Sequence, residues 1–512
     1  MKFRNNHIIL FISVVSVLLI WCFFQFYYAY HLFHKEQIQL FVYSQDVIFR
    51  YFESPACISN LAGDFLTQFF YLIGGGPIII ALSLMLLGYL GFSVFWRILT
   101  NNWLSFGLAL LLVSWELGRL SLLSYPLSST YSLIGSLGLC LICTRFKSDT
   151  IRLIVLVVSL LAGFWMFGYG VYFTAILSVA YEIKLRKWKT VIAVAVVVFL
   201  LPTKLLSFPT WFGLPNFKIE RILAADNEYY FGNYDKLAIV TSTPMEADHV
   251  TYYYNLLNAC RGVLPDSLMS YYQPATLGLF LPVDTSSSYL SIMFANEVWF
   301  KLGDMTMAEH CAMLSMISSP NSTGARMIKR LAEINLINND EQAALKYLRI
   351  LKKTLFYSDW AEQRMPENKD ASIRSWLSDK RQFIPQHDTI RASADIKLSL
   401  RQLLKSNPKN TIAYDYLLCY NLLQKDIDGF VQDYNPTSVP NRLYAEALLI
   451  YAANKRLSSN ELKKYQISPE VIAEFNDYTQ IYEKYSGDGR YLSGKYGKTY
   501  WFYFHYATLK TL

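Results

Sequence analysis

The chain has 512 residues, of which 53% are hydrophobic and only 17% charged, with a mean hydropathy of +0.22. Soluble globular chains average about 25% charged residues, so the composition argues against a wholly cytosolic protein. The net charge of +8 is no nucleic-acid signature either: residues 1–206 carry 14 Lys+Arg against 7 Asp+Glu, residues 207–512 carry 33 against 32, and no basic patch interleaved with stacking aromatics stands out.

A membrane-spanning helix needs roughly 20 mostly apolar residues. Seven stretches read as spans, at about 7–30, 69–96, 103–121, 128–144, 151–168, 169–183 and 189–206. The first follows Lys2 and Arg4, but it is too long for a signal-peptide core and lacks a small-residue cleavage site, so it reads as a retained helix. Between the first two spans, residues 31–68 form a polar-to-amphipathic loop that Ser54-Pro55 divides into helices expected at about 35–53 and 57–68. On the first of these, Asp46, Arg50 and Glu53 fall at i, i+4 and i+7 and share a face, while Ile38, Leu40, Phe41, Val47, Ile48, Phe49 and Phe52 are available to lie against a bilayer. The fifth and sixth spans meet at Phe167-Gly168-Tyr169-Gly170, a turn that glycine permits.

Basic residues flanking spans favour the cytoplasmic side. With the N-terminus inside, Lys2, Arg4, Arg97, Arg145, Lys147, Arg152, Lys184, Arg186, Lys187 and Lys189 fall on one side, and Lys35, Arg50 and Arg119 on the other. An odd number of spans then sends residues 207–512 outside. The expected localisation is a bacterial inner membrane, multi-pass, with a periplasmic C-terminal domain.

After Pro209 the continuous apolar runs give way to amphipathic helical stretches. Gly232, Gly262, Gly303 and Asn338 punctuate helix–turn–helix segments, and a further unit opens at Asn407-Pro408-Lys409-Asn410. Their spacing scatters around a 34-residue period and resembles a degenerate tetratricopeptide-like α-solenoid, interrupted by a charged loop, Arg364–Asp370, in a possible break near 364–394. The fold class is therefore all-α, a polytopic membrane domain over 1–206 followed by a helical repeat domain over 207–512. The aromatic tail, Tyr496–Tyr506, reads first as a closing helix.

Standard catalytic signatures are absent: no HExxH, no G-x-S-x-G, no phosphate-binding glycine loop. The seven cysteines form no disulfide framework, and Cys140-x-x-Cys143 sits inside an apolar span, where packing outweighs metal or redox chemistry.

The inside N-terminus, the seven spans, the acid-bearing first external loop and the exported C-terminal domain together resemble the GT-C glycosyltransferase fold. The loop, with its Ser44-Gln45-Asp46 and Phe65-Leu66-Thr67-Gln68-Phe69-Phe70 runs, also resembles a bacterial membrane-protein family with the same two-part build and no assigned activity. The first resemblance implies transfer of a sugar from a polyprenyl-linked donor on the non-cytoplasmic face, with an exported protein or glycan acceptor and a divalent cation such as Mg²⁺ or Mn²⁺. An acceptor hydroxyl must lose a proton to a positioned carboxylate, for which Asp46 is the first candidate and Glu36 the second. The departing pyrophosphate needs a cation, for which Arg50 and Arg119 are the candidates, with Glu53 and Glu116 beside them as substrate-binding acids. The competing class is non-enzymatic: a membrane-anchored scaffold assembling a cell-envelope complex through the repeat domain, without nucleic acid in either case.

Overall fold

The computed structural model describes residues 2–200, 212–243, 248–385, 395–436 and 440–509, and among these every regular element is helical. Residues up to Glu220, together with Ser319–Arg326 and Leu348–Glu362, form one compact unit; Arg221–Ser318, Met327–Tyr347 and Gln363–Leu512 form a second.

In the first unit the long apolar runs become helices: α1 (Lys2–Cys22), prolonged to Tyr27 by a π-turn, then three short elements, α2 (Tyr30–Gln37), α3 (Gln45–Tyr51) and α4 (Cys57–Thr67). Next come α5 (Gly75–Leu99), α6 (Asn102–Leu120), α7 (Leu127–Cys143), α8 (Asp149–Phe167), α9 (Val171–Lys184) and α10 (Trp188–Leu200). Among the described residues four helical stretches are long and apolar enough to cross a membrane: His7–Tyr27, Gly75–Leu99, Asn102–Leu120 and Asp149–Lys184; α7 is a shorter apolar helix. The last of the four joins α8 to α9 through the 3₁₀ turn Gly168–Gly170, where Gly168 has φ +61 and a Cβ would meet that of Ala56 at 2.8 Å. The seventh expected span coincides with α10 as far as Leu200; its remainder, 201–206, lies outside the described residues.

Phe24, Leu32, Phe70, Leu84, Leu87 and Leu137 pack α1, α2, α5 and α7 into one core, and Leu156, Leu160, Val171 and Val194 join α8, α9 and α10 in another. Two features then position the loop between α1 and α5. Gly63 of α4 lies against Ser128 of α7 so closely that a Cβ would fall 2.4 Å from the Ser128 backbone. And the helix expected over 35–53 is broken: residues 39–44 form no regular element, because the Tyr43 N–H donates to the Lys353 carbonyl (2.7 Å) and the Gln39 carbonyl accepts from Ala325 N–H (3.3 Å). Those backbone groups find partners on chain that returns to this unit, so they no longer need helical ones. Ser44 then restarts the helix, its hydroxyl accepting from Val47 N–H.

The second unit consists of paired helices joined by tight turns. The pair 289–302 and 305–318 turns on Gly303 (φ +95), and Gly232, Gly262, Asn339 and Lys425 take the same left-handed conformation at equivalent places. In each the next N–H reaches back to a carbonyl in the last turn, as Asp304 does to Trp299 (3.0 Å) and Asp426 to Asn421 (2.9 Å). This double cap satisfies helix-end carbonyls that would otherwise be orphaned. Turn residues 363–370 occupy the expected charged loop. The tail forms a closing helix, Tyr500–Tyr506, in which Trp501 is fully buried and its indole N–H donates to the Glu446 carbonyl (3.0 Å).

Candidate functional site

A cavity of about 540 Å³ lies in the first unit among α2, α3, α4 and the 123–128 connection. The sequence builds its walls by simple periodicities. On α4, Asn60, Asp64 and Thr67 fall at i, i+4 and i+7, one helical face, and all three line the cavity. The Gly63–Ser128 contact next to them sets that face against Leu127 and Ser128. The connection after α2 adds Ile38, Gln39, Leu40 and Val42 to the lining.

The short helix α2 carries an unusual load for eight residues: His31, His34, Lys35, Glu36 and Gln37 are all buried. Side chains and carbonyls around it hold each end. The Glu220 carboxylate accepts from Tyr30 N–H (2.7 Å) and His31 N–H (3.0 Å), capping the N-terminus where the helix dipole favours an anion. Burial pushes that carboxyl up to about 7, against the pull of the two N–H donors. At the other end the Tyr357 hydroxyl donates to both Glu36 oxygens (2.9 and 3.0 Å), and Arg326 donates to Gln37 Oε1 (3.0 Å). Burial drives His34 down to about 3, helped by the nearby Arg326 and Lys35 charges, and lowers His31 in the same way, so both imidazoles are neutral at neutral pH.

Lys35 is the member of α2 that lines the cavity. Its ammonium donates to the Leu120 carbonyl (3.0 Å) at the end of α6 and to the Tyr125 carbonyl (2.7 Å). Burial pushes it down to about 7, partly opposed by the Glu116 carboxylate. Behind that wall, Glu116 accepts from the Tyr125 hydroxyl (2.8 Å) and the Thr130 hydroxyl (2.6 Å), and pairs with Arg119 at 3.6 Å. The Arg119 guanidinium lies over the rings of Trp115 (4.4 Å) and Tyr125 (4.3 Å), a cation–π clamp.

Among the described residues Asp64 is the one carboxylate on the cavity lining. The Tyr51 hydroxyl donates to its Oδ2 at 2.8 Å, and Phe41, packed edge-on to Phe65 and stacked on Tyr51, backs the pair. Burial raises the Asp64 carboxyl above its ordinary value, with the Tyr51 hydrogen bond acting in the opposite sense. The cavity lining thus carries a half-buried carboxylate whose basicity burial raises, Asp64, and two cations, Lys35 and Arg50.

The residues singled out from sequence separate in space. Arg50 lines the cavity. Asp46, in the first turn of α3, and Glu53, just beyond its end, are exposed and do not line it. Glu36 is buried under Tyr357, and Glu116 with Arg119 forms the ion pair behind Tyr125. Sequence reasoning passed over Lys35, Tyr51 and Asp64 as site residues; the signal for the last was the Asn60–Asp64–Thr67 spacing beside a glycine. Among the described residues no group of three or more His, Cys, Asp or Glu is placed to hold a metal ion. Mg²⁺ is usually held by one or two carboxylates together with waters and substrate phosphates, and the cavity lining offers one carboxylate, Asp64, for such a role.

Together these features define a protein that is all-helical among the described residues, with apolar helices suited to a membrane and, on the segments that connect them, a cavity whose lining mixes apolar and charged side chains. The chain belongs to DUF6057, a family of unknown function, whose model matches residues 4–213 and 191–507. No curated protein and no solved structure matches it.

Proposed function

We propose that this protein is a GT-C-like glycosyl or oligosaccharyl transferase, working from a polyprenyl-linked donor on the non-cytoplasmic face of a bacterial inner membrane. The observation that carries the reading is the cavity, whose lining on the segments that connect the apolar helices holds a half-buried carboxylate and two cations. In the transfer step an acceptor hydroxyl attacks the anomeric carbon as the bond from that carbon to the lipid pyrophosphate breaks. The hydroxyl proton passes to Asp64, whose raised basicity suits a general base, and the departing oxygen keeps the bonding pair. Lys35 and Arg50 neutralise that developing charge. No step runs through a metal.

The apolar stretches support seven spans, and the distribution of basic residues supports an internal N-terminus and an exported C-terminal region. The helix pairs of the second unit, read as tetratricopeptide-like repeats, would present the exported protein or glycan acceptor.

The test compares envelope glycoconjugates in cells lacking the protein and in cells restored with wild type or Asp64→Asn. Restoration by wild type alone supports the transferase. Equal restoration by both removes Asp64 from the chemistry and favours the scaffold, which has no use for a cavity carboxylate.

A further inference from the structure

An ammonium group has three N–H donors. Lys35 directs two to the carbonyl oxygens of Leu120 and Tyr125 and forms no ion pair among the described residues, although its side chain is buried with only 7% of the residue exposed. A buried cation held by neutral carbonyls alone is an incomplete arrangement, because isolated buried charge is costly until a counter-charge arrives. The carboxylate nearest in its field, Glu116, is already occupied by Tyr125, Thr130 and Arg119. The open side of Lys35 is the cavity, which Arg50 also lines.

We propose that Lys35 is the docking point for a phosphate-bearing anion in the cavity, and that the anion binds together with a proton taken up by the Lys35 amine. This deepens the transferase reading, on which it rests for the identity of the anion as a pyrophosphate group, lipid-linked or free. The groups facing Lys35 are consistent with such coupling. His31 and His34 on its own helix are neutral and Glu36 is engaged by Tyr357. Glu116 and Arg119 on α6 neutralise each other, and Asp64 on α4 is bonded by Tyr51. With its amine pushed down to about 7 by burial, Lys35 is mostly neutral at pH 8 and mostly charged at pH 6. A bound pyrophosphate holds it charged at both.

The experiment is calorimetric titration of the purified full-length chain in detergent with farnesyl pyrophosphate and, separately, inorganic pyrophosphate, in two buffers of different ionisation enthalpy. The wild type is expected to take up about 0.9 proton per ligand at pH 8 and about 0.1 at pH 6, beyond the ligand's own uptake. Lys35→Arg, permanently charged, removes that excess, and Lys35→Met weakens binding at least tenfold at pH 6. Arg50→Gln, at an exposed side chain, lowers affinity and leaves the excess uptake in place, which separates docking charge from proton linkage without disturbing α2. Binding of the farnesyl compound alone identifies a lipid-linked anion, and binding of both identifies the pyrophosphate group as sufficient; either supports Lys35 if the uptake is present. Wild-type binding with no excess uptake at pH 8, or no binding of either probe, overturns the proposal. Uptake without any glycan defect in Asp64→Asn cells would retain Lys35 and sink the transferase; a glycan defect with binding free of uptake would do the reverse.

Discussion

Tyr51→Phe removes one oxygen and isolates the contribution of a single hydrogen bond. The Tyr51 hydroxyl donates to Asp64 Oδ2 at 2.8 Å, and both side chains are half-buried. A hydrogen bond to a charged partner contributes about 1.5–3 kcal/mol, equivalent to at least about tenfold in the proton affinity of the carboxylate. Because burial already raises Asp64 in the folded state, its contribution to stability is greatest in acid and is lost as pH rises through its folded value. Losing the Tyr51 donor moves that value further up. The variant is therefore destabilised most where wild-type Asp64 is ionised and least where it is protonated. Infrared titration of the protonated-carboxyl band, assigned by its loss in Asp64→Asn, reads this directly. A midpoint unchanged or lowered in Tyr51→Phe would refute the account of how Asp64 is strengthened.

Arg152 donates to Glu182 through Nε (2.5 Å) and Nη2 (3.1 Å), with both side chains buried. Arg152→Met strands the carboxylate and should cost about 3–5 kcal/mol; thermal unfolding in detergent should show Arg152→Met/Glu182→Met recovering most of that loss, whereas simple additivity would deny the coupling. Gly63→Ala places a methyl group against the Ser128 backbone and should cost about 1–3 kcal/mol, with a matching loss of pyrophosphate binding; unchanged binding would show that the α4–α7 contact does not shape the cavity. Glu220, raised to about 7 in the folded state, makes stability fall as pH rises from its unfolded range toward 7. Glu220→Gln should flatten that part of the pH–stability curve, and an unaltered slope would remove Glu220 as its source.

The apolar helices were the most legible part of the chain. The stretch expected at 103–121 is Asn102–Leu120, and the pair expected at 151–168 and 169–183 is Asp149–Phe167 and Val171–Lys184. Continuous hydrophobicity and a Gly-Tyr-Gly turn specify these locally. The turns at Gly232, Gly262 and Gly303 were legible because the double cap needs a residue with positive φ, although at the fourth such turn Asn339, not Asn338, takes that conformation. The loop of 31–68 was not. Its helical periodicity over 35–53 is real, but Lys353 and Ala325, far along the chain, claim the backbone groups of Tyr43 and Gln39, and no local pattern announces them. The same distance hid the site. Asp46 looks well placed on a helix face yet faces solvent, whereas the burial of Lys35 and Glu36 depends on Leu120, Tyr125 and Tyr357. Asp64 has a legible helical face, but its partner Tyr51 belongs to another helix and is brought to it only by the fold.

The most direct measurement compares Asp64→Asn with Asp46→Asn for restoring envelope glycoconjugates in cells lacking the protein, at matched protein levels. A transfer site in the cavity predicts that Asp64→Asn fails and the exposed Asp46→Asn restores. Restoration by Asp64→Asn would contradict a transfer site at this cavity.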